Sequence, residues 1–255
     1  MYNFAGKHIV ICGGANGLGL HFAREFSKAN GRVSILDLTE SQEKRFSHFI
    51  CDVSRFDETH SVLKEALEKS GKIEALVNCI RAKKSLPSSF LYSEKETWEK
   101  GIAVNLGTYF NASSALCELI KDQGGCSIVN ISSISASLVS SDQGVDYHCA
   151  KAAINQLTRF LAVKYGPYGV RVNSVSPGLI SHHASEKASS SPSASYYQQC
   201  AQSIPLRRSG GPQEVANLVL FLASEFSSFI TGQEIVIDGG LSICEQLHLL
   251  SPSKT

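Results

Sequence analysis

The chain has 255 residues, 43% of them hydrophobic and 18% charged, which is enough apolar material for one large α/β core. Its 24 basic and 23 acidic side chains leave a formal net charge of +1, a balance that supplies no field for nucleic acid or anionic lipid, so a small-molecule partner is expected. The longest apolar runs, such as 218–223, fall far short of the roughly 18 residues that suggest a membrane span, and the opening MYNFAGKHIVICGG lacks a basic stretch followed by a long apolar one, so no signal peptide is read.

Short apolar runs then alternate with segments of helical period. The first candidate strand, 8–12, runs into Cys12-Gly13-Gly14-Ala15-Asn16-Gly17-Leu18-Gly19. Gly13, Gly17 and Gly19 fit a G-x-x-x-G-x-G loop. Such glycines allow a tight turn and let a pyrophosphate approach the backbone, while a helix from about Gly17 aims unpaired N–H groups at that anion. Asn16 and Leu18 belong to the same candidate cofactor loop. A second strand, 33–37, ends on Asp37. An acid there accepts hydrogen bonds from ribose hydroxyls and repels a 2′-phosphate, which favours NAD over NADP. No Arg or Lys lies in the glycine loop, and Leu38 follows the acid.

A third strand, 49–51, leads to Asp52 and Val53, where Asp52 either binds an adenine edge or caps its own loop. Ser54-x-x-Asp57 reads as a capping box opening a helix with Val62, Ala66 and Leu67 on one face. Strands follow at 75–79, 127–132, 171–175 and 234–237. Most lack polar alternation, as strands buried on both faces do. Ile154, Leu157, Leu161 and Tyr165 mark one further helix, and Val215, Leu218, Val219 and Leu222 another, with Pro212 suited to its first turn. The rhythm predicts a three-layer α/β fold of the Rossmann-like, doubly wound kind, with a central seven-stranded parallel sheet in one domain spanning 1–255. Residues 181–195, SHHASEKASSSPSAS, break the rhythm, and a mobile substrate loop is expected around 181–200.

The strongest local signal is Tyr147-His-Cys-Ala-Lys151. The i, i+4 spacing puts both side chains on one helical face. A neighbouring ammonium favours phenolate, so the phenol can exchange a proton with a substrate oxygen while hydride moves at carbon. The strand at 127–132 runs into Ser132 and Ser133. Alternation lets only one of the two face the site, and Ser133 is the choice. The eight cysteines, at 12, 51, 79, 117, 126, 149, 200 and 244, contain no CxxC and are read as reduced thiols of a cytoplasmic protein. No metal is expected: His182 and His183 have no carboxylate at ligand spacing. Arg207 and Arg208 are read as surface charge.

Together these motifs resemble the short-chain dehydrogenase/reductase family over nearly the whole chain. The glycine loop, Asp37, Asp52-Val53, Val-Asn105-Leu and Asn130-Ile-Ser-Ser133 carry the resemblance. So do Tyr147-x-x-x-Lys151, Arg171-Val-Asn-Ser-Val-Ser-Pro177-Gly178 and the segment from Pro212 to Gly240. The resemblance implies Tyr147 as acid/base, with Lys151 lowering its pKa and holding the nicotinamide ribose. It implies Ser133 as the group orienting substrate and Asn105 as the holder of a water that links Lys151 to solvent. Asn78, Pro177, Gly178 and the backbone N–H of Ile180 are implied cofactor contacts. A small alcohol or ketone substrate and a homo-oligomer, tetramer or dimer, are also implied. Cys12 departs from the family's Thr, and Asn78-Cys79-Ile80-Arg81 from its Asn-Asn-Ala-Gly. Arg81 then stands where the family has no side chain, so an altered backbone is expected there. The Ser133–Tyr147 gap is one residue longer than usual. An NADPH-dependent carbonyl reductase and a non-enzymatic dinucleotide binder remain as alternatives. The substrate pocket is expected to draw on 135–145 and on the 181–200 loop, with His182, His183, Tyr196 and Tyr197.

Overall fold

A computed structural model of the chain describes residues 2–82, 95–121, 123–140, 143–181 and 199–245. Seven strands form one parallel sheet: β1 (His8–Cys12), β2 (Arg32–Asp37), β3 (Ser47–Ile50), β4 (Ile73–Asn78), β5 (Ser127–Ile131), β6 (Arg171–Pro177) and β7 (Glu234–Ile237), in the order β3-β2-β1-β4-β5-β6-β7. The doubly wound expectation is met. The third strand begins and ends earlier than the sequence suggests. Cys51 leaves the sheet after its N–H bonds to Asp37 O at 2.9 Å, because β2 has no further residue with which to pair. The fourth also starts two residues early and stops at Asn78, and the sixth extends to Pro177.

Along β1 every residue is buried, and alternate side chains enter different cores. Ile9 and Ile11 pack with Phe22 and Phe26 of α1 (Gly17–Lys28) and with Val215, Val219 and Leu222 of the helix Pro212–Ala223, here α6. Val10 and Cys12 face Leu63 of α2 (Phe56–Ser70), Leu116 of α4 (Thr108–Ile120) and Leu161 of α5 (Val145–Tyr165). One period-two strand thus joins two helical layers. At about 25 cal/mol per Å² of apolar surface, burying one such Leu or Phe side chain contributes roughly 1.5–3 kcal/mol.

Pro212 opens α6 as expected, and Glu214 accepts the Gly211 N–H at 2.8 Å to close its first turn. The capping box at Ser54 does not form. Ser54 instead gives its N–H and hydroxyl to Asp52 Oδ1, at 3.0 and 2.6 Å, and α2 starts one residue past Arg55 with no side-chain cap. The nearer carboxylate captures the serine before the helix can use it. A short helix α3 (Lys95–Ile102) continues through a π-helical turn, Ala103–Gly107, into α4. Such turns are rare and gather at functional sites; this one holds Asn105.

The expected loop at 181–200 lies almost wholly outside the described residues, as do His182, His183, Tyr196 and Tyr197. Its base is anchored: Gly210 N–H donates to Leu179 O, and Ser181 N–H to Gly210 O, each at 2.9 Å.

Candidate active site

The strand order reverses between β1 and β4, and a cleft of about 1740 Å³ opens beyond the carboxyl ends of the strands. This is where open α/β sheets bind ligands. Gly13, Asn16, Gly17, Leu18, Gly19, Asp37, Asp52, Val53, Ser133, Tyr147, Lys151, Pro177, Gly178 and Ile180 all line it.

The glycine loop has two strict requirements. Gly13 has φ of +82°, a left-handed conformation that L side chains resist. A Cβ on Gly19 would lie 2.0 Å from Gly13 O, so α1 can meet the end of β1 only with glycine there. Asn16 caps α1 by backbone alone, without a side-chain hydrogen bond, and no acid stands in the first turn. The Gly19 N–H is directed at the Cys79 sulfur, and those of Gly17 and Leu18 remain available for an anion. Asp37 closes this end of the cleft. Its Oδ2 accepts the Ala15 N–H at 3.0 Å, and its Oδ1 accepts from the Thr39 N–H at 3.3 Å.

Asp52 is engaged with Ser54 through Oδ1, while its N–H donates to Glu58 Oε1 at 2.9 Å. The loop-capping alternative therefore describes at least one face of this carboxylate.

At the other end, Tyr147 and Lys151 project from the first two turns of α5. Lys151 is 2% exposed. Its Nζ donates to Ile131 O at 2.7 Å and to the Tyr109 hydroxyl at 3.2 Å, and lies 5.5 Å from the centre of the Tyr147 ring. Burial pushes the ammonium down to about 7; nearby Cys79 opposes that fall and Arg81 adds to it. Burial likewise pushes the Cys79 thiol up to about 12 and holds the Tyr109 phenol well above its ordinary value. The Tyr109 hydroxyl is 2.9 Å from Ile131 O and 3.0 Å from Ile80 O, so one phenol links β5, the end of β4 and the lysine.

The two serines separate as alternation requires. Ser132 is buried and donates to Lys151 O at 3.1 Å, which holds α5 against β5. Ser133 is half-buried, and its Oγ accepts the Ser135 N–H at 3.1 Å, leaving its own proton to donate. His148 accepts the Ser140 N–H at Nε2 and faces Gly144 O through Nδ1, which ties down the rim before α5.

Asn78 and Asn105 lie behind the cleft wall. Asn78 is 1% exposed and donates to Ser113 and Asn130; among the described residues its Oδ1 has no partner. Asn105 accepts the Ala82 N–H at 2.9 Å and reaches Asp146 Oδ2 at 3.5 Å, joining the loop after β4 to the start of α5. Ile180 lines the cleft, and no acceptor among the described residues takes its N–H, since Gly210 pairs with residues 179 and 181.

Two residues of this site were not legible beforehand. Tyr109 carries a weak signal, four residues after Asn105 on one helical face. In the sequence Arg81 shows only as a departure from the family pattern. Its φ is not positive, so a side chain is accommodated without left-handed strain. Its guanidinium lies 4.8 Å from the centre of the Tyr147 ring. Among the described residues, no three His, Cys, Asp or Glu side chains gather to hold a metal ion, and no helix is long and apolar enough to cross a membrane.

Comparison with known proteins agrees with this geometry. The family model described as enoyl-(acyl carrier protein) reductase matches residues 13–242. Oxidoreductase UcpA of Salmonella typhimurium is 34% identical over 98% of this chain and 99% of its own length. The 3-oxoacyl-[acyl-carrier-protein] reductase FabG of Chlamydia pneumoniae is 32% identical over 93% of this chain and 97% of its own. The crystal structure of a short-chain dehydrogenase from Leptospira borgpetersenii with bound NAD+ superimposes with a TM-score of 0.84. It shares 28% identity and covers 94% of each chain.

Proposed function

The chain belongs to the short-chain dehydrogenase/reductase family, and from that premise we propose that it interconverts a secondary alcohol and a ketone with NAD(H), using Tyr147 as acid and base. The observation that carries the reading is that one cleft holds Tyr147, Lys151 and Ser133 at one end and the glycine loop with Asp37 at the other.

A bound nicotinamide supplies or accepts the hydride. The chain's own residues supply the rest. The first-turn N–H groups of Gly17 and Leu18, reached past the side-chain-free glycines of the loop, seat the pyrophosphate. Asp37 accepts from the adenosine ribose, and its charge opposes a 2′-phosphate. Pro177, Gly178 and the Ile180 N–H face the carboxamide. Tyr147 gives its hydroxyl proton to the substrate oxygen in reduction and takes one in oxidation. Ser133 donates to that same oxygen and stabilises charge on it. Lys151, seated on Ile131 O and Tyr109, presents positive charge behind the phenol. Asn105 ties residue 82 to α5 and holds the water through which Lys151 exchanges protons with solvent.

Reduction of a ketone with NADPH is the second reading. The Chlamydia pneumoniae relative, named as a 3-oxoacyl reductase, favours the ketone; Asp37 stands against the extra phosphate. Eight free cysteines, four of them buried with the core, support a reducing cytoplasmic compartment. Exposed Phe110 on α4 and Phe160 and Val163 on α5 support a homo-oligomer.

The test pairs a variant with two titrations. Tyr147→Phe should lower kcat by about 10²–10⁴-fold while the dinucleotide Kd stays within a factor of two or so, and wild-type protein should bind NADH more tightly than NADPH. Full turnover by Tyr147→Phe would sink the acid/base assignment, and tighter NADPH binding would sink the cofactor assignment.

A further inference from the structure

The cleft wall formed by the segment after β4 carries a cation that the proposed reaction does not use. Arg81 follows β4 by three residues, is exposed, and extends across the cleft. Its guanidinium lies over the Tyr147 ring, 4.8 Å from the centre, and its Nη2 donates to Gln143 Oε1 at 2.7 Å, 62 residues away. The guanidinium is therefore held twice, by an aromatic face and by a neutral amide. Among the described residues no carboxylate pairs with it. Arg208 bonds both oxygens of Glu214 and Arg24 pairs with Glu43, whereas Arg32, Arg159, Arg171 and Arg207 bond neutral oxygens; of these described arginines and Arg81, Arg81 is the one that lines the cleft. A charge held in place beside the acid/base side chain without a counter-ion points to a ligand that brings one.

We propose that Arg81 recognises a carboxylate on the substrate, so that the protein acts on hydroxy acids or oxo acids. This rests on the reading that Tyr147 meets the reacting oxygen. The reach from the phenol to the guanidinium then places the carboxylate a few bonds from the reacting carbon. The dinucleotide's pyrophosphate has its own seat at the start of α1, beyond the glycine loop, whereas Arg81 is tied to the segment that follows Ser133. A phosphate monoester fits less well, because Asp146 lines the same end of the cleft and would face its second charge. Exposed Lys100 on α3 lines this end too and favours an anion there.

The test uses the full chain, saturating NAD or NADH, and matched pairs of hydroxy acids and their amides, with the carboxyl carbon one, two or three carbons from the hydroxyl. Wild-type protein should prefer the acid of at least one pair by about 10–100-fold in kcat/KM, as a charge-assisted hydrogen bond predicts. Arg81→Ala should erase most of that preference, and Arg81→Lys should restore part of it. Calorimetric binding of each acid, and of NADH, is measured alongside. If Arg81→Ala weakens NADH binding as much as acid binding, Arg81 serves the cofactor and the proposal fails. It also fails if no acid binds, or if acid and amide are treated alike by wild type and variant. If an acid binds through Arg81 yet nothing is oxidised or reduced, hydride transfer is refuted and carboxylate recognition stands.

Discussion

Replacing Lys151 by methionine should end turnover and at the same time make the protein more stable. The ammonium is 2% exposed, and burial pushes it from an ordinary 10.5 down to about 7. Between those two values the unfolded chain keeps a proton that the folded chain has released, so stability climbs as pH rises through that window. Relative to a side chain that does not titrate, the lysine handicaps the folded state by about 4 kcal/mol at pH 7 and about 2 kcal/mol at pH 9. Methionine has similar length and no charge. It forfeits the bonds to Ile131 O and Tyr109, worth about 1 kcal/mol each. The variant should then gain roughly 2 kcal/mol at pH 7, a rise of about 4–8 °C in Tm for a chain of this size, and almost nothing at pH 9. Burial keeps the Cys79 and Tyr109 hydrogens on in the folded state, and both groups titrate in the unfolded chain of either protein alike, so their contribution cancels in the difference between variant and wild type. Urea unfolding of both proteins at pH 7 and pH 9 measures the gap. A variant less stable at pH 7, or a gap that does not narrow by pH 9, would refute the idea that the catalytic lysine is held at the expense of stability.

Asp37→Ala should shift the NADH:NADPH binding ratio toward NADPH by at least about tenfold, read by fluorescence titration; an unchanged ratio would show that the carboxylate does not meet the adenosine ribose. Tyr109→Phe should lower kcat by about tenfold and stability by about 1–2 kcal/mol, because Lys151 Nζ loses an acceptor and Ile80 O a partner. That acceptor favours the charged amine, so the lysine-dependent limb of the pH–rate profile should move to lower pH; a wild-type profile would mean that Tyr109 only packs.

The parts of the site visible in the sequence share one property: they are local. Gly13, Gly17 and Gly19 lie within one turn, Tyr147 and Lys151 are one helical turn apart, and Ser132 and Ser133 are separated by strand alternation alone. Where a local rule had two competitors, it failed. Ser54 fitted a capping box with Asp57, yet Asp52 stood two residues away and took its hydroxyl. Resemblance marks Asn78 and Asn105 as site residues, and the fold sets both side chains behind the cleft wall, because each lies in an element packed on two sides.

Hydrophobic continuity and the alternation of strands with helices determined by themselves that this chain builds a parallel sheet covered on both faces, with a glycine loop at one end and a tyrosine–lysine pair at the other. Only the tertiary structure decided that Tyr109 would seat Lys151, across 42 residues, and that Arg81 would cross to Gln143 over the Tyr147 ring. Periodicity states which face of an element is buried; it carries no information about which distant residue will lie against that face. That choice is made when the strand order β1-β4-β5 brings the loop after β4, the π-turn before α4 and the start of α5 to the same edge of the sheet.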